Sequence, residues 1–123
     1  MVEVNENPFI RARHFNFDRM YKYLGDDKET IKEILLVVLE ELKLSVQKFE
    51  DYIFNERLDD IKDTAHKLVS TTASVGLDKL CSTVKKLEQL KKFDTAVLNQ
   101  HLSTFKTETI LVKKLINNYL LDS

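Results

Sequence analysis

Apolar residues recur at three- and four-residue intervals through most of this chain, the spacing that lines one face of an α-helix. Turned at about 100° per residue, Leu58, Ile61, Ala65, Leu68, Thr72 and Val75 fall on one stripe of a helix from about Arg57 to Val75. A longer helix is predicted to about Asn55, with Ile31, Ile34, Leu35, Val38, Leu42, Val46 and Phe49 inward. Leu80, Val84, Leu87 and Leu90 mark another from Asp78 to Lys92. The last runs to about Leu121 through Leu98, Leu102, Phe105, Thr109, Val112, Leu115, Ile116 and Tyr119. A short helix from about Asn16 to Leu24 precedes these four.

The punctuation agrees with helices. Only two glycines and one proline occur, too few for a sheet protein with many turns. Gly25 and Gly76 each end a predicted helix. Asp26 with Glu29 forms a capping-box pattern at the head of the long helix. Asp94 is placed to cap the last helix, with Phe93 and Leu98 as a hydrophobic staple. Pro8 closes a polar N-terminal stretch, so residues 1–15 are expected to form a loosely docked tail and residues 16–123 the folded domain. Short loops between long helices predict an all-α fold, an up-down-up-down four-helix bundle with a short extra N-terminal helix.

Composition narrows the function. Acidic and basic residues nearly cancel to a net charge of −1, and no basic stripe is interleaved with aromatics, so nucleic acid is not an expected partner. The longest apolar run, Ile34 to Leu39, is far short of the roughly 20 residues of a membrane span. Nothing in MVEVNENPFIRAR resembles a signal peptide, and the single Cys81 suits a reducing compartment; a cytoplasmic location is expected. Cys81, beside Leu80 and Val84, reads as a packed core thiol rather than a redox nucleophile.

Candidate chemistry is sparse. His14, His66 and His101 lie on three different segments, with no helical His or Glu-x-x-His partner, so no metal site is expected. His14 is assigned to the tail and His101 to the surface of the last helix. Ser70, Thr71 and Thr72 share one straight helix with His66 and cannot converge on a substrate, and no glycine-rich phosphate loop is present. Lys85, Lys86, Lys91 and Lys92 make a local basic patch, an ordinary solvated face near a helix C-terminus or an attraction for an acidic partner.

His66 stands out. It projects about 140° from the middle of its helix's apolar stripe and so faces water. Lys62 and Ser70 lie one turn away, and the small Ala73 one turn beyond Ser70. An exposed histidine alone is most often a solubilising residue. Flanked by small side chains, it is also a group that another protein could touch.

The run His66-Lys67-Leu68-Val69-Ser70-Thr71-Thr72-Ala73-Ser74-Val75-Gly76 resembles the signature of histidine-containing phosphotransfer (HPt) domains. That signature has an aliphatic residue two positions after the histidine, small residues, then an aliphatic-Gly ending. Leu24-Gly25-Asp26-Asp27-Lys28-Glu29 resembles the family's turn before its long helix, and Leu87-Glu88 the Leu-Glu near the end of the helix after the site. The resemblance spans roughly residues 16 to 120 and implies the bundle derived above.

It further implies a phosphocarrier rather than an enzyme, with His66 accepting a phosphoryl group on Nε2 from the aspartate of a receiver domain, or returning it. Glu88 stands at the position that accepts the Nδ1 proton and fixes the tautomer. The Mg²⁺ and acidic pocket belong to the receiver, so no cofactor is expected. The implied partners are receiver domains of response regulators or hybrid sensor kinases, met transiently by a monomer through less than about 1,200 Å². Val69, Ser70 and Ala73 form the expected docking ring.

Two positions depart from the pattern. Val69 stands where the family usually has a lysine beside the phosphoryl group, a contact worth about 1.5–3 kcal/mol. Ser70 replaces the usual glycine. Lys62 or Lys67 is expected to supply the missing charge. The alternative implied by the departures is a bundle that docks receivers without accepting phosphate.

Overall fold

The computed structural model describes residues 7–122, and every regular element among them is helical. The helices are α1 (Pro8–His14), α2 (Phe17–Leu24), α3 (Lys28–Phe54), α4 (Leu58–Ser74), α5 (Asp78–Glu88) and α6 (Thr95–Asp122). Helix α3 packs on α4, α4 on α5, α5 on α6 and α6 on α3, so the four longest close a ring around one core. Phe49 and Phe105 meet edge to face across that core, 5.4 Å between centroids, an arrangement worth about 0.5–1.5 kcal/mol beyond burial.

The apolar stripes expected of the four helices point inward, with Leu58, Ile34, Val46, Leu90, Thr109 and Tyr119 at the half-buried margins. Two buried hydroxyls are satisfied locally: Ser45 donates to the Glu41 carbonyl at 2.8 Å, and Thr72 to that of Leu68 at 2.7 Å.

Helix boundaries correct the expectations in three places. Asp27 rather than Asp26 caps α3, its Oδ1 accepting from the Glu29 and Thr30 amides. Glu29 therefore falls at the second helical position, and the reciprocal contact of a capping box does not form. Helix α5 stops at Glu88 instead of Lys92, because the chain turns there to bring Leu90 and Phe93 to the edge of the core. Asp94 then caps α6 as expected, accepting from the Val97 amide at 3.2 Å.

The third correction is the N-terminus. Residues 8–14, expected as tail, form α1, while residues 1–6 lie outside the described residues. Asn7 caps the helix by accepting from the Phe9 amide at 3.0 Å, and Pro8 occupies its first turn, where a missing N–H costs nothing. Helix α1 packs on α5 and α6. The Arg11 guanidinium lies 3.6 Å over the Phe17 ring, and Phe15, Phe17 and Tyr119 form an edge-to-face cluster at centroid distances of 4.8 to 5.9 Å.

The chain between α1 and α2 also touches the turn between α4 and α5. Val75, Gly76 and Leu77 are all buried there, and the Asn16 amide donates to the Gly76 carbonyl at 2.7 Å. Gly76 has φ +74°, and a Cβ on it would lie 2.2 Å from the Asn16 carbonyl oxygen. Both the left-handed backbone and the backbone-to-backbone approach demand glycine. Gly25 shares the positive φ, at +79°, but has open space around it.

Gly76→Ala should therefore cost about 3 kcal/mol or more, and Gly25→Ala only about 1 kcal/mol. Urea unfolding of the two variants checks this; equal costs would show that the Asn16 approach relaxes freely.

Candidate functional site

Ile61, Ala65, Leu68 and Thr72 are buried on one side of α4, which leaves the opposite side to solvent. His66 lies in the middle of that exposed side with 75% of its side chain accessible. Exposed Ser70 follows it by one turn and half-buried Ala73 by two; half-buried Lys62 precedes it by one. These small neighbours leave room for an approaching surface.

The ring is nevertheless held. Its Nδ1 lies 3.0 Å from Oε1 of Glu88, the last residue of α5, whose side chain is about one-third exposed. A carboxylate accepts and does not donate, so in the neutral ring the contact places the proton on Nδ1 and leaves the Nε2 lone pair free. Helix α5 delivers Glu88 because it runs back along α4 after the buried 75–77 turn, and Cys81 fixes the same pairing one stage earlier. The Cys81 thiol, buried and unpaired as expected, donates to the Val69 carbonyl at 3.7 Å.

The other expected site residues separate into two groups. Val69 is half-buried and packs against the core margin, so it offers less surface than a docking residue would. Lys67 lines a groove between α3 and α4 with Glu41, Lys48, Asp60 and Asp63, around the helix from Glu88. Lys62, Ser70, Ala73 and Glu88 remain around His66.

The cluster is not in a cavity. A groove of about 740 Å³ runs between α3 and α6 past Leu36, Leu39, Val46 and Ile110 and contains no residue of the His66 group. An imidazole on an open helix face suits a macromolecular partner that brings its own walls.

A second histidine constellation escaped the sequence. His14, expected in the tail, ends α1 with its Nδ1 2.6 Å from Oε2 of Glu108, and Lys79 stands 3.9 Å from the other carboxylate oxygen. Glu108 is almost fully buried on α6. Burial pushes its carboxyl above the usual carboxylate range, and the hydrogen bond and charge of His14 and the charge of Lys79 only partly oppose this. The local signal was Asn7-Pro8, an N-cap followed by a first-turn proline, which opens a helix as readily as it ends a tail. His101, expected at the surface, is half-buried; desolvation and the nearby Lys86 charge depress its pKa.

With the geometry in place, the family is clear. Residues 33–117, well over half of the chain, match the family model of the Hpt domain, and the chain belongs to that family. Hpt domains are phosphocarriers of two-component signalling rather than enzymes. No curated protein matches the chain. Among the described residues, no helix is long and apolar enough to cross a membrane.

The raised carboxyl pKa of Glu108 has a defined sign. The folded state holds the proton more tightly than the unfolded chain, so the contribution is complete below the ordinary carboxylate pKa and is lost as pH rises through the raised value. Glu108→Gln, which still accepts from His14, should gain stability relative to the parent as pH climbs from 4 to 7. Urea midpoints across that range test it; a constant difference would contradict the raised pKa.

Proposed function

We propose that His66 carries the phosphoryl group, exchanging it with the aspartate of receiver domains in a two-component phosphorelay. One observation carries this: an imidazole three-quarters exposed whose Nδ1 is held by a carboxylate from a neighbouring helix. Exposure without that partner would describe a solubilising histidine. The partner without exposure would describe a structural one.

In the forward step, the Nε2 lone pair attacks phosphorus in line as the bond from phosphorus to the aspartyl oxygen breaks, and that electron pair stays with the departing carboxylate. The ring gains positive character as the N–P bond forms. Glu88, facing the proton on Nδ1, counters it and prevents the ring from rotating. The return step reverses these movements. Ser70 and Ala73 leave space for the receiver's rim, and Lys62 adds positive charge to the same face.

Further support comes from the parts of the HPt signature that have a visible physical cause here. Gly76 is required by its backbone, and the small residues by the open face. The up-down-up-down topology expected of the bundle fits the short connections and the closed ring of contacts. The buried free thiol of Cys81 fits a reducing cytoplasm. The domain is taken to act there as a monomer.

His66→Gln should abolish uptake of acid-labile, alkali-stable label from phosphorylated receivers while leaving helicity and thermal unfolding unchanged. Receiver binding without label in the parent protein would mean a docking-only bundle, the outcome that the absent lysine at Val69 favours. Glu88→Ala should slow uptake about 10- to 100-fold and Glu88→Gln by less, since the amide still accepts from Nδ1. Equal rates in all three proteins would remove Glu88 from the account.

A further inference from the structure

A phosphoryl group on His66 would be stabilised by a nearby cation, and the position at which the family usually carries a lysine is Val69, whose side chain packs against the core margin. The chain's other lysines near His66 can be sorted by the faces of α4 and α5. Lys67 is on the α3 side. Lys62 is one turn before His66, and side chains on a helix lean toward its N-terminus, so Lys62 leans away from the imidazole.

Helix α5 has two lysine-bearing edges. Lys79 approaches Glu108 of α6, and the Lys86 charge bears on His101 of α6, so these two mark the edge facing α6. Cys81 bonds to the Val69 carbonyl and Glu88 to His66, so these two mark the edge facing α4. Lys85 is four residues after Cys81 and three before Glu88, on the same helical face as both. It is exposed, and no carboxylate among the described residues forms an ion pair with it.

We infer that Lys85 binds the phosphoryl group on His66 across the α4–α5 groove, taking the role that a lysine at position 69 would have. Since α5 runs antiparallel to α4, Lys85 lies between the Cys81–Val69 contact and the Glu88–His66 contact. Its flexible four-carbon stem can swing the ammonium over the groove toward a phosphoryl group on Nε2. One α5 face then performs two tasks, the carboxylate of Glu88 holding the ring and Lys85 neutralising the transferred group. This inference rests on His66 being the phosphorylated residue.

The test uses the whole protein and phosphorylated receiver, comparing parent, Lys85→Met, Lys86→Met, Val69→Lys/Lys85→Met and His66→Gln for label uptake and for the lifetime of the phosphohistidine. Lys85→Met should lower the equilibrium constant for transfer onto His66 about tenfold, the loss of one charge-assisted contact. Lys86→Met, which removes the same charge from the opposite edge, should match the parent. Val69→Lys should restore the Lys85→Met protein, which a merely structural role for Lys85 would not allow. A labelled parent with unaffected Lys85→Met, equal losses from the two methionine variants, or failed rescue overturns Lys85 alone. An unlabelled parent, or a labelled His66→Gln, overturns the functional proposal and Lys85 with it.

Discussion

The buried turn at residues 75–77 sets the register of α5 on α4, and the site depends on that register. Val75 and Leu77 anchor it in the core, and Gly76 lets the backbone of Asn16 approach to hydrogen-bonding distance. From this fixed start α5 runs back along α4, placing Cys81 at Val69 and Glu88 at His66. A slip of one residue would turn Glu88 about 100° around its helix and break the contact. The glycine ten positions after His66 is therefore a positioning device, although it never approaches the imidazole.

The N-terminal helices reinforce the same turn from outside. Helix α1 is pinned by His14 on buried Glu108, and the aromatic cluster of Phe15, Phe17 and Tyr119 ties the following segment to the end of α6. Asn16 sits between these two attachments when it meets Gly76. Arg19 adds an ion pair to Asp78, the first residue of α5. The placement of Glu88 thus draws on contacts from both ends of the chain, while the face that presents His66 stays open.

Much of this was legible in the sequence, and the parts that were not share a cause. Period-3.6 stripes identify α3 to α6 because each buries one continuous face, and the outward angle of His66 follows from the same periodicity. Glu88 at the imidazole came from family resemblance, since periodicity within one helix does not say which residue of another will meet it. The Asp27 cap was missed by one residue because two adjacent aspartates offer equivalent signals. Helix α1 was missed because a seven-residue helix shows too little periodicity, and its stability comes from tertiary partners. Glu108 was missed for a related reason: a charged residue reads as surface unless its distant partners, here His14 and Lys79, are known. The Val69 departure was visible in the sequence, but a substitute cation on another helix can be sought only once the turn has paired α5 with α4.

The chemistry divides accordingly between the carrier and its partners. On the proposed function, the bundle contributes one nucleophilic nitrogen, a carboxylate that orients it and a surface open to a second protein. In the neutral imidazole the Glu88 contact leaves Nε2 as the free nitrogen. That assignment is tested most directly on ¹⁵N-histidine-labelled protein phosphorylated from a receiver, by the coupling between ³¹P and the imidazole nitrogens. Coupling to Nε2 of His66 with the proton on Nδ1 is the expected result; phosphorus on Nδ1, or on another residue, would overturn that assignment.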